Sequence, residues 1–155
     1  MKKRFAETVT AVDEEFGRVF RRLFRGGTAR LVLTDEQNML ETGVDIVVQL
    51  PGKKLQNLSL LSGGEKALVA IALVFAIIKV RPSPFCVFDE IETSLDEANL
   101  VRFGEFLKEL SERTQFVVMT HRKATMEVAD ALYGVTMEES GVSKLVSVRL
   151  AERAG

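Results

Sequence analysis

Two short apolar runs, Pro84 to Asp89 and Gln115 to Thr120, limit what this chain can fold into more than any other feature. Each has the length of a buried strand and is too short for a buried helix, and the stretch between them, about Asp96 to Ser111, has helical periodicity. A shorter helical segment, Lys123 to Ala129, follows. Strand, helix, strand, helix predicts a parallel sheet with helices against it, because parallel neighbours need a crossover between them. Upstream, Glu65 to Val80 reads as a helix so apolar around its circumference that it must be buried on most sides.

The flanks read differently. Apolar residues at Phe5, Val9, Val12, Phe16, Val19 and Leu23 alternate steps of four and three, the seam of a coiled coil that needs a partner helix; an amphipathic helix lying on its own domain is the other reading. Gly26-Gly27 ends that helix. Ala29 to Thr34 and Val44 to Leu50 then form a predicted hairpin, and Pro51-Gly52 opens a loop reaching Leu61. At the far end, Leu132 to Glu138 and Lys144 to Leu150 make a second hairpin around Ser140-Gly141. Period-two alternation turns Val146, Val148 and Leu150 inward and leaves Leu145 outward with Ser143, Ser147 and Arg149. Leu145 is a candidate partner contact, or simply one exposed leucine.

A net charge of −1 over 155 residues excludes a global basic field for nucleic acid, although the first thirty residues hold eight Lys or Arg against four Asp or Glu. The single cysteine, Cys86, lies inside an apolar strand, which excludes a disulfide framework. No apolar stretch has the length of a signal peptide or a membrane span, so the expected location is the cytoplasm, with no membrane partner.

Three places carry chemistry. The strand Phe85-Cys86-Val87-Phe88 ends in Asp89-Glu90. Ligands of open α/β sheets bind at that end of a strand. There Asp89 can hold Mg²⁺ through its water shell, and Glu90 can orient a water for in-line attack on a γ-phosphate. On this pattern alone, a salt bridge or a helix cap is the plainer reading. Second, Leu61-Ser62-Gly63-Gly64-Glu65 opens the apolar helix, with Ser62 and Glu65 spaced as a capping box. The glycines, which a cap alone does not need, let a phosphate approach backbone N–H groups at a helix N-terminus. Third, His121, the only histidine, stands just past the second strand, level in a parallel sheet with Asp89-Glu90. An imidazole there can stabilise charge on the same phosphate; a satisfied surface histidine is the commoner case.

In this order, these motifs resemble the ATP-binding cassette superfamily and, within it, the structural maintenance of chromosomes (SMC) proteins, most closely the bacterial ones. The resemblance extends through Leu58-Ser59-Leu60-Leu61-Ser62-Gly63-Gly64-Glu65-Lys66-Ala67-Leu68, Asp89-Glu90, Leu95-Asp96-Glu97-Ala98-Asn99, Thr120-His121-Arg122 and Tyr133-Gly134-Val135-Thr136-Met137. It implies that Ser62, Gly63, Gly64 and Glu65 are the signature motif, serving ATP on an opposing head. It also implies that Asp89 and Glu90 are Walker B, Asp96 lies in the D-loop, and His121 is the switch histidine. Yet no G-x-x-x-x-G-K-[ST] phosphate loop occurs, and Gly52-Lys53-Lys54 lacks the glycine and hydroxyl residue to serve as one.

The implied fold is therefore the C-terminal lobe of an α/β head, with a coiled-coil neck stump over residues 1–26, the lobe over 27–155 and a terminal β-hairpin. The implied function is hydrolysis of Mg-ATP between two heads, driving DNA entrapment in chromosome condensation and segregation. The implied partners are the N-terminal half of the same head, a second head, a kleisin subunit and DNA, in the cytoplasm at the nucleoid. The chain alone is expected to be inactive. A DNA-repair ATPase of the same superfamily and an ABC transporter nucleotide-binding domain are the alternatives.

Overall fold

The computed structural model describes residues 2–35 and 41–149. Helix α1, Lys2–Phe24, leads into strands β1, Thr28–Leu33, and β2, Val44–Gln49, which pair antiparallel with Ala29 opposite Val48. Gly27 has φ of 75°, and a Cβ there would collide with the Gln49 carbonyl, so this turn requires glycine. The loop expected after Pro51 contains a short third strand, β3, Gln56–Asn57, on the edge of β2, and a 3-10 turn over Leu58–Leu60.

Helix α2, Gly63–Val80, follows; then β4, Phe85–Asp89; α3, Glu97–Leu110; β5, Gln115–Met119; and α4, Lys123–Met126. As the order of elements required, β4 and β5 pair in parallel, with Val87 opposite Val117 and Asp89 opposite Met119. The chain closes with the antiparallel pair β6, Ala131–Glu139, and β7, Val142–Arg149.

The core lies among the helices. In α2, Leu68, Val69, Ile71, Ala72, Phe75, Ala76 and Ile78 are buried, as a helix apolar on most sides demands. Phe75 stacks on Phe103 and Phe106 of α3, each with centroids 5.6 Å apart, and meets Phe88 of β4 at 6.3 Å. The guanidinium of Arg22 sits 4.2 Å over the Phe106 ring and donates to Glu109 at 2.8 Å, which ties α1 to α3.

Two expectations are corrected here. The seam of α1 does not wait for a partner helix along its whole length: Val12, Phe16, Val19 and Leu23 are buried within this chain, with the off-seam Phe20, and only Phe5 is exposed. Burial against α2 and β1 is available locally, so those residues take it. Nor are β4 and β5 buried on both faces. Cys86, Phe88, Phe116 and Val118 pack toward the helices, whereas Phe85, Val87, Val117 and Met119 are between 46% and 59% exposed. Among the described residues, the helices cover one side of the sheet only.

The terminal hairpin also departs from its expected packing, because Val146 is exposed rather than turned inward. The side chain of Val148, and Leu150, lie outside the described residues. No helix among the described residues is long and apolar enough to cross a membrane.

Candidate functional site

The carboxyl ends of β4 and β5 bring together residues distant in sequence. Parallel register sets Asp89 beside Met119, and the next residue, Glu90, donates its backbone N–H to the Met119 carbonyl at 3.0 Å. Glu90 has φ of 47°, a left-handed conformation that costs a non-glycine residue about 1–3 kcal/mol and is found mainly where surrounding structure enforces it. Here the enforcing contacts are that ladder bond and the Thr93 hydroxyl, which donates to the Glu90 carbonyl.

The strained turn aims the Glu90 side chain at His121, whose Nδ1 lies 3.3 Å from Glu90 Oε1. A protonated Nδ1 donates at that distance, leaving the second carboxylate oxygen and Nε2 for other partners. Both side chains are more than half exposed, so an incoming group has access. The Asp89 carboxylate is exposed too and makes no hydrogen bond or ion pair with described residues.

At the N-terminus of α2 the capping box is complete. Glu65 N donates to Ser62 Oγ at 3.3 Å, and Ser62 N donates to Glu65 Oε2 at 2.9 Å. Lys53, dismissed as part of a false phosphate loop, pairs with Glu65 at 2.8 Å. Its hydrogen bond, with that of the Ser62 backbone, holds the Glu65 carboxyl below the usual range. The two glycines differ. A Cβ on Gly64 would lie 2.9 Å from the Ser94 carbonyl, so close packing explains that glycine, whereas a Cβ on Gly63 would meet nothing within 4 Å. Among the described residues nothing requires Gly63, and open space beside a helix N-terminus suits an anion arriving from outside.

Asp96, near the expected start of a helix and in the D-loop by resemblance, is the N-cap of α3, accepting from Asn99 N at 2.8 Å and from Asn99 Nδ2 at 3.0 Å. The site therefore divides in two. Asp89, Glu90 and His121 meet at the sheet end; Ser62 to Glu65 form a separate cap, joined to the first group by the approach of Gly64 to Ser94. Leu145 belongs to neither and lies on the terminal hairpin.

Sequence reasoning missed the contact of buried Glu92 with half-buried Thr120 behind the site; a third acid two residues after Glu90 was the available signal. It also missed that Leu145 is not solitary. Pairing of Leu145 with Val135 places it on one face with Tyr133 and Met137, all between 63% and 70% exposed.

A parallel sheet whose strand ends carry adjacent carboxylates and a histidine, beside a glycine-rich helix start, is the α/β architecture of SMC ATPase heads, and known proteins agree. The family model described as RecF/RecN/SMC N terminal domain matches residues 3–144, so the chain belongs to the RecF/RecN/SMC family. The chromosome partition protein Smc of Bacillus subtilis (strain 168) is 62% identical over 152 residues, 98% of this chain and 13% of that protein. The chain thus spans about an eighth of the length of this curated relative.

Among solved structures, one from work on ATP-driven dimerization and DNA-stimulated activation of SMC ATPases superposes with a TM-score of 0.85 at 42% identity, covering 96% of this chain and 89% of the other. An Smc head bound to the C-winged helix domain of ScpA gives a TM-score of 0.88 at 42% identity, over 94% of this chain and 44% of that one.

Proposed function

We propose that this chain is the C-terminal half of an SMC ATPase head, which completes an ATP site only with the N-terminal half and a second head. The observation that carries the proposal is the one-sided sheet. Phe85, Val87, Val117 and Met119 form an exposed apolar face on the β4–β5 sheet that ends in Asp89, Glu90 and His121. Parallel sheets are covered on both faces, and exposed apolar patches beside a site mark an interface. No phosphate loop occurs in the sequence, so the missing layer and the missing phosphate cradle call for the same partner.

In the assembled head, Glu90 polarises and orients the attacking water, and His121, in contact with Glu90, faces the developing charge on the γ-phosphate. Ser62, Gly63 and Gly64 present a capped helix N-terminus to the ATP of the opposing head, with Glu65 holding the cap. Asp96, as cap of α3, fixes the loop between these groups. The exposed Asp89 carboxylate fits Mg²⁺, which keeps waters and takes few protein ligands. Among described residues no cluster of three or more His, Cys, Asp or Glu is arranged to hold a metal, so the other ligands would come from the triphosphate and the N-terminal half. The ion would neutralise phosphate charge when bound.

Identity to Smc along almost the whole chain favours chromosome condensation and segregation, in the cytoplasm at the nucleoid, over repair or transport. A neck over residues 1–26 and a lobe over 27–155 complete the reading, with only the start of α1, around Phe5 and Val9, left for the returning arm. The apolar hairpin face of Tyr133, Val135, Met137 and Leu145 supports a kleisin contact there, and DNA joins in the full complex.

The test joins this chain to its N-terminal half. The chain alone should hydrolyse no ATP. In the joined head, Glu90→Gln should lower turnover by about 10²–10⁴-fold yet trap ATP-bound dimers on size exclusion, whereas Ser62→Arg should bind ATP and stay monomeric. Identical behaviour of the two variants would refute the division of labour.

A further inference from the structure

Of the three acids at the end of β4, Glu92 is the one shut away from water, at 1% exposure. A buried carboxylate is disfavoured unless it is hydrogen-bonded; Glu92 Oε1 accepts from the hydroxyl of Thr120, 28 residues away, while Oε2 is buried with no hydrogen-bond partner among the described residues, so Thr120 holds this side chain by its one bond. The Thr120 oxygen in turn accepts the backbone N–H of Arg122 at 3.0 Å, closing a small turn with His121 at its centre. From the other side, Arg122 Nη2 donates to Glu97 Oε1 at 3.0 Å and to the Leu95 carbonyl at 3.4 Å. Both chain neighbours of His121 are thus tied to segment 92–97, which starts two residues after Glu90.

We propose that Glu92 is a positioning residue that fixes His121 against Glu90 through Thr120. The proposal rests on the reading of Glu90 and His121 as a working pair. A threonine hydroxyl has a single proton, and giving it to Glu92 turns the oxygen lone pairs toward the Arg122 N–H. Take away the carboxylate and the hydroxyl is free to rotate; take away the hydroxyl and the turn around His121 loses its clamp. Any movement of segment 92–97 then reaches the imidazole through two hydrogen bonds, with no contact from Glu92 to the reacting groups.

His121 is the only histidine, so its ring signals in an NMR spectrum of the chain are identified without further assignment. Glu90→Gln supplies the reference for a ring that has lost its carboxyl partner. Thr120→Val, which keeps shape and loses the hydroxyl, and Glu92→Leu should both move the His121 ring nitrogens toward that reference. The double variant should move them no further than either alone. Thr120→Ser and Glu92→Gln keep the donor and the acceptor and should leave the signals near native, with circular dichroism confirming the fold throughout.

A purely packing role predicts the reverse order, with Thr120→Val silent and Thr120→Ser disruptive, and that result, or additive single effects, would overturn the proposal. In the joined head, Thr120→Val should lower kcat by up to about 100-fold, as a displacement of about 1 Å can, while KM changes little. Native kcat alongside displaced ring signals would uphold the Glu92 brace and refute instead the role assigned to the Glu90 and His121 pair.

Discussion

Phe75 and Val87 are both central apolar residues of regular elements, yet their surroundings are opposite. Phe75 is stacked on Phe103 and Phe106 with no exposure, while Val87, on the outer face of β4, lies beside Val117 of β5 and faces out. The helical side of the molecule holds the filled core: aromatic stacks occupy it, ion pairs of Arg22 and Lys79 with Glu109 line its rim, and only the outward positions Val74, Ile77 and Val101 leave large apolar side chains exposed on α2 and α3. The sheet side is half made. Since burial of apolar surface drives folding, the contrast says where stability resides and where a further layer belongs.

The largest effect should come from the helical side. Phe75→Ala removes the ring shared by both stacks and should cost about 3–5 kcal/mol in urea denaturation. A loss below about 1 kcal/mol would mean the helical core is not what holds the chain together. Next, Ser62→Ala removes the side-chain half of the α2 capping box and should cost about 1 kcal/mol. That loss should appear in the chain alone, independent of any role toward nucleotide.

Acid should have a smaller effect. The Arg22 hydrogen bond, against partial burial, holds the Glu109 carboxyl below its ordinary range, as Lys53 does for Glu65. Depressed folded values mean that the stability from these pairs is fully present above the ordinary carboxylate pKa of about 4.3 and is lost as pH falls through the lowered values. Exposed pairs of this kind contribute at most about 1 kcal/mol. The stability difference between native chain and Glu109→Gln should therefore be small at pH 7 and vanish in acid, as urea midpoints at both pH values would reveal.

Smallest of all should be Val117→Thr, within about 0.5 kcal/mol for the chain alone, because that side chain is half exposed on a face no described helix covers. The same variant should weaken co-elution with the N-terminal half. A large stability loss, or undiminished co-elution, would break the contrast between the two sides.

The parts of this protein legible in the sequence are those set by neighbours within about one helical turn. The α2 capping box, the start of α3 near Asp96 and the order of strands and helices around Asp89-Glu90 depend on hydrogen bonds and periodicities of four residues or fewer. Leu145 shows the limit of such reading. Alternation set it on the face opposite Val146, yet both are exposed, and its companions Tyr133, Val135 and Met137 came into view only with the strand register.

Strand order already set His121 level with Asp89-Glu90, but the tertiary structure alone decided which side chains touch. Glu90 finds His121 across 31 residues, and Glu92 finds Thr120 across 28, because parallel pairing of β4 with β5 sets their ends level. It also decided how far the α1 seam is buried at home and which face of the sheet stays bare. Periodicity states that an apolar face exists; what covers it depends on which surfaces the rest of the chain brings near, a long-range condition that no local pattern contains.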